Sequence, residues 1–165
     1  MAWVAILMGS ESDWPTMQAT TTVLKELGVE HEVRVTSAHR TPAATAEYIA
    51  DSSARGCGVY ICAAGMAAHL AGAVAGHTTK PVIGVPIDSG PLEGLDALLS
   101  TVQMPGGVPV ATVAVGKAGA KNAGYLAAQM LAISDADLAQ KLVADRSANA
   151  DKVAAQNASV QTQLG

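Results

Sequence analysis

Apolar and polar positions along the chain fall into alternating blocks. Trp3–Met8 (WVAILM) is a short apolar run with β-branched residues, which predicts a strand ending at Gly9. Pro15 then opens a helical stretch to about Leu27, and Gly28 stops it as a C-cap glycine does. His31–Thr36 predicts a second strand. Thr41 and Pro42 start a second helix, Thr41 as N-cap and Pro42 in the first turn, and Gly56 closes it. The same alternation places strands at Val59–Ala63, Pro81–Val85 and Val108–Val115. It places helices at Ala67 to about His77, Leu92–Gln103 and Ala118–Ile133, with a last one from Asp135 to about residue 158.

The strands read as apolar along their length instead of alternating. That predicts burial on both faces, hence a parallel sheet covered by helices. Five strand–helix units give an α/β fold: a three-layer αβα sandwich around a five-stranded parallel sheet, flavodoxin-like with strand order 2-1-3-4-5, plus an extra C-terminal helix. The expected organisation is one domain over residues 1–165, with a core at about 3–133 and the terminal helix at about 135–158. In such folds ligands bind beyond the carboxyl ends of the strands.

Composition adjusts this picture. A fifth of the 165 residues are alanine, Gly supplies 16 more and Phe is absent. Hydrophobic residues at 50% and charged ones at 15% exclude a disordered chain. Small side chains leave little apolar area per residue, so further burial by self-association is expected. Net charge is −4, spread evenly over both halves, with no cluster of Lys and Arg to suit nucleic acid. The N-terminus lacks the basic flank of a signal peptide. Gly56–Thr79 is free of Lys, Arg, Asp and Glu for 24 residues, yet its five glycines and two histidines fit a buried strand and helix better than a membrane span. Cys57 and Cys62 have no second pair to complete a zinc site and read as buried thiols in a reducing cytosol.

Polar residues gather at the strand ends. Gly9-Ser10-Glu11-Ser12-Asp13 offers hydroxyls and backbone N–H groups at a helix start, an anion site or else plain helix capping by Ser12 or Asp13. It is neither a dinucleotide fingerprint nor a Walker loop. Ser37-Ala38-His39-Arg40-Thr41-Pro42 places a histidine able to exchange protons near neutrality beside an arginine able to hold phosphate through two hydrogen bonds. A hydrogen-bonded loop histidine with a surface arginine is the plainer alternative. His69 follows Gly65-Met66-Ala67-Ala68 and is either functional or semi-buried. His31 and His77 read as structural or surface residues. The four histidines show no i, i+4 pair and no cysteine at zinc spacing, so no metal site is expected. No G-x-S-x-G elbow is present. These residues suit acid/base chemistry on a small phosphorylated molecule. A non-catalytic nucleotide-binding module is the competing class.

Six stretches carry a resemblance. They are Met8-Gly9-Ser10-Glu11-Ser12-Asp13-Trp14, Ser37-Ala38-His39-Arg40-Thr41-Pro42, Ala67-Ala68-His69-Leu70, Pro81–Pro86, Val102–Val110, and Gly116-Lys117-Ala118-Gly119 with Asn122-Ala123. In this order they resemble the N5-carboxyaminoimidazole ribonucleotide mutase family, the catalytic-subunit type of phosphoribosylaminoimidazole carboxylase in bacterial purine synthesis. The resemblance implies phosphate and ribose binding by Ser10, Asp13 and Arg40, with Gly9, Ser12 and Ser37 close by. It implies His39 as general acid/base, a carbon dioxide pocket lined by the Ala68-His69-Leu70 loop, and Gly65 among the substrate-binding residues. It implies a small-molecule nucleotide substrate, no metal or organic cofactor, no nucleic-acid or membrane partner, a cytoplasmic setting and a homo-octamer. Met66 stands where many members have Gly, and Ala71 where many have Pro. A sister class carboxylates aminoimidazole ribonucleotide directly with carbon dioxide. It typically carries Lys at the position of Arg40 and lacks the Ala-Ala-His-Leu loop, so Arg40 and His69 favour the mutase. The final helix has few large apolar residues after Val143, which leads to the expectation that it lies across a neighbouring subunit.

Overall fold

The computed structural model describes residues 2–164. Its elements are β1 (Trp3–Met8), α1 (Trp14–Leu27), β2 (His31–Val35), α2 (Pro42–Ala54), β3 (Cys57–Gly65), α3 (Leu70–Ala75), β4 (Val82–Ile87), α4 (Leu95–Val102), β5 (Ala111–Thr112), α5 (Gly116–Ala132) and α6 (Ala136–Gln163). All strand pairs are parallel, in the order β2-β1-β3-β4-β5. This is the predicted sandwich, with helices on both sides of the sheet.

Successive residues of a strand point to opposite faces, so each central strand feeds two cores. Val4, Ile6 and Met8 join Val59, Ile61 and Ala63 beneath α1 and α5. Ala5, Leu7, Tyr60 and Cys62 join Tyr48, Ile49, Leu70 and Val74 of α2 and α3 on the other side. Alanines and glycines let α5 come very close to α1. The Thr20 hydroxyl donates to the Ala120 carbonyl at 2.6 Å. A Cβ on Gly124 would stand 3.0 Å from the Val23 Cβ. The small-sided face of α5 therefore packs within its own chain, on α1 and the sheet.

The uncharged stretch Gly56–Thr79 supplies β3 and α3. Among the described residues no helix is long and apolar enough to cross a membrane. Both cysteines are buried and free, and burial pushes both thiols up.

Several boundaries differ from the sequence pattern for identifiable reasons. The expectation of strands buried on both faces holds for β1 and β4 but not for β2, which is exposed at four of its five positions. β2 is the sheet's edge and pairs only with β1. Its sequence HEVRV does alternate. Arg34 lies over the Tyr48 ring and Glu32 takes hydrogen bonds from Arg55 and Tyr48, while Val33 and Val35 stay exposed. β5 shrinks from the predicted Val108–Val115 to two paired residues, Pro109 having no N–H to give a ladder. α3 begins only at Leu70, and the Ala68 N–H ahead of it donates to the Ser100 hydroxyl at 3.1 Å. Gly28 ends α1 in the left-handed conformation, φ 72°, as expected of a C-cap glycine. Thr41 occupies the N-cap of α2, but its hydroxyl bonds Ser37 instead of a helix N–H. α6 runs to Gln163, past the expected residue 158. Only Leu138 of it is buried. From Arg146 onward every described residue is exposed.

Candidate active site

A cleft of about 380 Å³ opens at the carboxyl ends of β1, β2 and β3. Ten of the eleven residues singled out above line it: Gly9, Ser10, Ser12, Asp13, Ser37, His39, Arg40, Gly65, His69 and Leu70. Ala68 does not. Its side chain is buried in the interior, and its N–H and carbonyl are held by Ser100 and Thr101 of α4.

The first loop is tied to the sheet by the Gly9 N–H, which donates to the Ala63 carbonyl at 3.1 Å. Capping here falls to Ser10 rather than Ser12 or Asp13. The Ser10 hydroxyl oxygen accepts from the Ser12 N–H at 3.3 Å and from the Ser12 hydroxyl at 3.0 Å. Asp13 makes no side-chain cap and is buried at the base of the cleft. Burial pushes its carboxyl above the ordinary carboxylate range, partly offset by a backbone hydrogen bond at Ser10.

That shift sets a sign. Between the unfolded and folded values of a raised carboxyl, the folded protein holds more protons than the unfolded one, so stability falls as pH rises through that window. Asp13→Asn is expected to raise Tm at pH 7 and to flatten that part of the pH–stability curve, while weakening ligand binding. Melting curves from pH 4 to 8 check it; an unchanged or lower Tm at pH 7 counts against it.

Hydroxyls knit the second loop. The Ser37 hydroxyl accepts from the Arg40 N–H at 3.1 Å, and the Thr41 hydroxyl accepts from the Ser37 N–H at 3.0 Å. Thr36 and Thr45 share a 2.6 Å hydrogen bond beneath them. Ser37 thus shapes the loop as well as facing the cleft. Arg40 reaches back to the first loop, donating from Nη2 to the Gly9 carbonyl at 3.1 Å. His39 and His69 meet across the cleft, Nε2 to Nδ1 at 2.7 Å, with rings edge-on at 88°. The semi-buried alternative for His69 does not hold, because the residue is exposed. His31 and His77 hydrogen-bond the backbone carbonyls of Val29 and Ala73 and do not line the cleft.

The third loop holds a surprise at Met66. Its φ of 55° is left-handed, a conformation uncommon for a residue with a Cβ, and its side chain lies against Gly90. Ser89, from the loop after β4, also enters the cleft, so close to Gly65 that a Cβ there would collide with its hydroxyl. Ala38, Ala64, Met66, Ala67 and Ser89 complete the wall. Of these, Ala38, Met66 and Ala67 belong to the loops marked in the sequence, while Ala64 and Ser89 were not singled out as site residues. Nor was Ser100, since nothing local marks a helix serine that holds a loop backbone. Neither Met104–Gly107 nor Gly116–Gly119 touches this cleft. Among the described residues no group of three or more His, Cys, Asp or Glu is placed to hold a metal ion.

Comparison with known proteins gives consistent matches. The family model described as AIR carboxylase matches residues 3–152. The N5-carboxyaminoimidazole ribonucleotide mutase of Bacillus subtilis is 58% identical over 139 residues, 84% of this chain and 86% of that protein. That of Mycobacterium tuberculosis is 51% identical over 162 residues, 98% of this chain and 92% of that protein. The crystal structure of Treponema denticola PurE superposes with a TM-score of 0.87 at 30% identity, covering 96% of this chain and 98% of that one.

Proposed function

The chain belongs to the AIR carboxylase family, and from that premise we propose that it moves the carboxylate of N5-carboxyaminoimidazole ribonucleotide from the exocyclic nitrogen to ring carbon C4. The product is 4-carboxyaminoimidazole ribonucleotide, and the setting is purine biosynthesis. The relatives that bear the mutase name match over most of their length. The single observation that supports the residue roles is the cleft, where two histidines, an arginine and a hydroxyl-rich loop converge from three strand ends.

Ser10, Ser12 and Arg40 hold the phosphate, and Asp13 takes ribose hydroxyls. His39 protonates the exocyclic nitrogen while the N–C bond breaks and carbon dioxide leaves. The bonding pair stays on nitrogen. C4 then attacks the trapped carbon dioxide, and the C4 proton passes to His39, which restores the aromatic ring and the starting protonation state. Gly65, His69 and Leu70 wall the space in which carbon dioxide waits. Holding the two fragments together replaces a bimolecular encounter with a positioned one. The residues 1–165 act as one mutase domain. Supplying N5-carboxyaminoimidazole ribonucleotide, or aminoimidazole ribonucleotide with bicarbonate, in separate assays tests the reaction by product absorbance. Turnover of the second substrate alone would favour the direct carboxylase.

Arg40→Ala is expected to weaken nucleotide binding by about 1.5–3 kcal/mol, the scale of a hydrogen bond to a charged group. Calorimetric titration with aminoimidazole ribonucleotide measures it, and an unchanged affinity moves the phosphate site elsewhere.

The working form is a cytoplasmic homo-octamer with active sites near subunit boundaries. Supporting this, α4 presents Leu95, Leu99 and Val102 outward at one helical spacing, and Val33 and Val35 of β2 are uncovered. Light scattering at micromolar concentration is expected to give eight times the chain mass. A value near 16.6 kDa ends the proposal. Truncation after Arg146 is expected to weaken assembly. A shortened chain that assembles and turns over like the full one makes α6 a solvated tail.

A further inference from the structure

The 2.7 Å contact between His39 Nε2 and His69 Nδ1 admits one hydrogen, carried by one of the two nitrogens. Two arrangements are available. In one, His39 donates from Nε2, and His69 carries its own proton on Nε2. In the other, both rings carry theirs on Nδ1. Neutral imidazole side chains intrinsically favour the Nε2–H form, so the first arrangement keeps both rings in their preferred tautomer. It also leaves His39 Nδ1 free, with no hydrogen-bond partner among the described residues.

We infer that His69 is a positioning residue for His39: its Nδ1 accepts the His39 Nε2–H, which fixes the ring and makes His39 Nδ1 the nitrogen that exchanges the proton with substrate. The inference rests on His39 being the acid/base of the proposed reaction. The cycle starts from the His39 imidazolium: Nδ1–H gives its proton to the exocyclic nitrogen as the N–C bond breaks, which leaves the neutral Nε2–H ring described above, and the Nδ1 lone pair later takes the proton from C4. The Nε2 proton never leaves the bond to His69, so the anchor persists in both protonation states of His39. The edge-on packing of the rings, with centroids 4.8 Å apart, keeps the free edge of His39 turned from its anchor.

The backbone around His69 is built to hold this position. The Ala68 N–H is fixed by the Ser100 hydroxyl, which itself donates to the Asp96 carbonyl at 2.6 Å. The His69 N–H donates to the Ala67 carbonyl at 2.9 Å. The ring meanwhile is exposed and, among the described residues, hydrogen-bonds only His39, so replacing it is expected to leave the fold intact.

Three variants of the full chain separate the possibilities. Asn places an amide oxygen about where His69 Nδ1 stands, Leu fills the space without an acceptor, and Ala does neither. His69→Leu and His69→Ala are expected to lose activity on the order of tenfold to a hundredfold, the cost of misplacing a reacting group by about an ångström. The loss falls in kcat with KM little changed, and His69→Asn recovers most of it. A His69→Leu enzyme as active as the parent would make His69 a wall only. A His69→Asn enzyme as impaired as His69→Ala would make it a proton-transferring group. Either result overturns the inference. An independent reading comes from protein labelled with 15N in its imidazoles. A coupling through the hydrogen bond between His39 Nε2 and His69 Nδ1 is expected in the parent; its absence overturns the inference whatever the reaction turns out to be. Full activity in His39→Asn would instead remove the functional premise.

Discussion

His39→Asn is expected to abolish turnover, lowering kcat by at least about 100-fold, or about 2.7 kcal/mol of barrier, while nucleotide binding survives. The amide fills part of the ring's space, but it cannot give and take a proton near pH 7. Arg40 and the Ser10–Asp13 loop, which hold the nucleotide in the proposed reading, are untouched by the change, and the second loop is shaped by Ser37 and Thr41 rather than by His39. Single-turnover rates from product absorbance, with calorimetric affinity for aminoimidazole ribonucleotide, separate the two effects. An enzyme that keeps more than about a tenth of its activity would show that the proton travels by another route.

Gly119→Ala is expected to cost more than about 4 kcal/mol, enough to leave little folded protein at 37 °C. Gly119 sits in the first turn of α5, buried, with the Ala114 carbonyl directly above it. A Cβ there would stand 1.5 Å from that oxygen and 2.5 Å from its carbon. Both atoms are backbone, so no rotamer relieves the overlap; the turn joining β5 to α5 must move. Alanine's better helix propensity returns only about 0.5–1 kcal/mol. Gly106→Ala is the control, since nothing lies within 4 Å of a Cβ at that position. Urea melts of the two variants beside the parent decide the matter. Equal midpoints for Gly119→Ala and Gly106→Ala would refute the close approach.

What could be read from the sequence follows from how local the cause is. β1 and β4 were legible because a wholly apolar run bounded by Gly or Pro has few other uses. The two cleft loops were legible because the pairing of His39 with Arg40, and of Ser10 with Asp13, is chemistry within a few residues. β2 was misjudged because an edge position is a property of the sheet, not of HEVRV. The Ala68 backbone is held by Ser100, 32 residues away, and no periodicity encodes that bond. Likewise His39 and His69 are 30 residues apart, and each alone permits a plainer reading. Met66 could be marked as a substitution for glycine, and its left-handed backbone explains why glycine suits the position.

His39, the acid/base of the proposed reading, hangs from the rim of the sheet, in the loop after β2. β2 is hydrogen-bonded along its backbone to one strand, in register from Val4↔His31 to Met8↔Val35, and tied to α2 by Glu32 and Arg34, while the two cores close over β1, β3 and β4 without it. Local openings have their own free energies, and the least buried strand has among the smallest. Peeling β2 away would carry His39 out of the cleft and leave both cores standing. On warming, activity is therefore expected to fail before the fold melts, and a neighbour seated on Val33 and Val35 would guard activity more than fold.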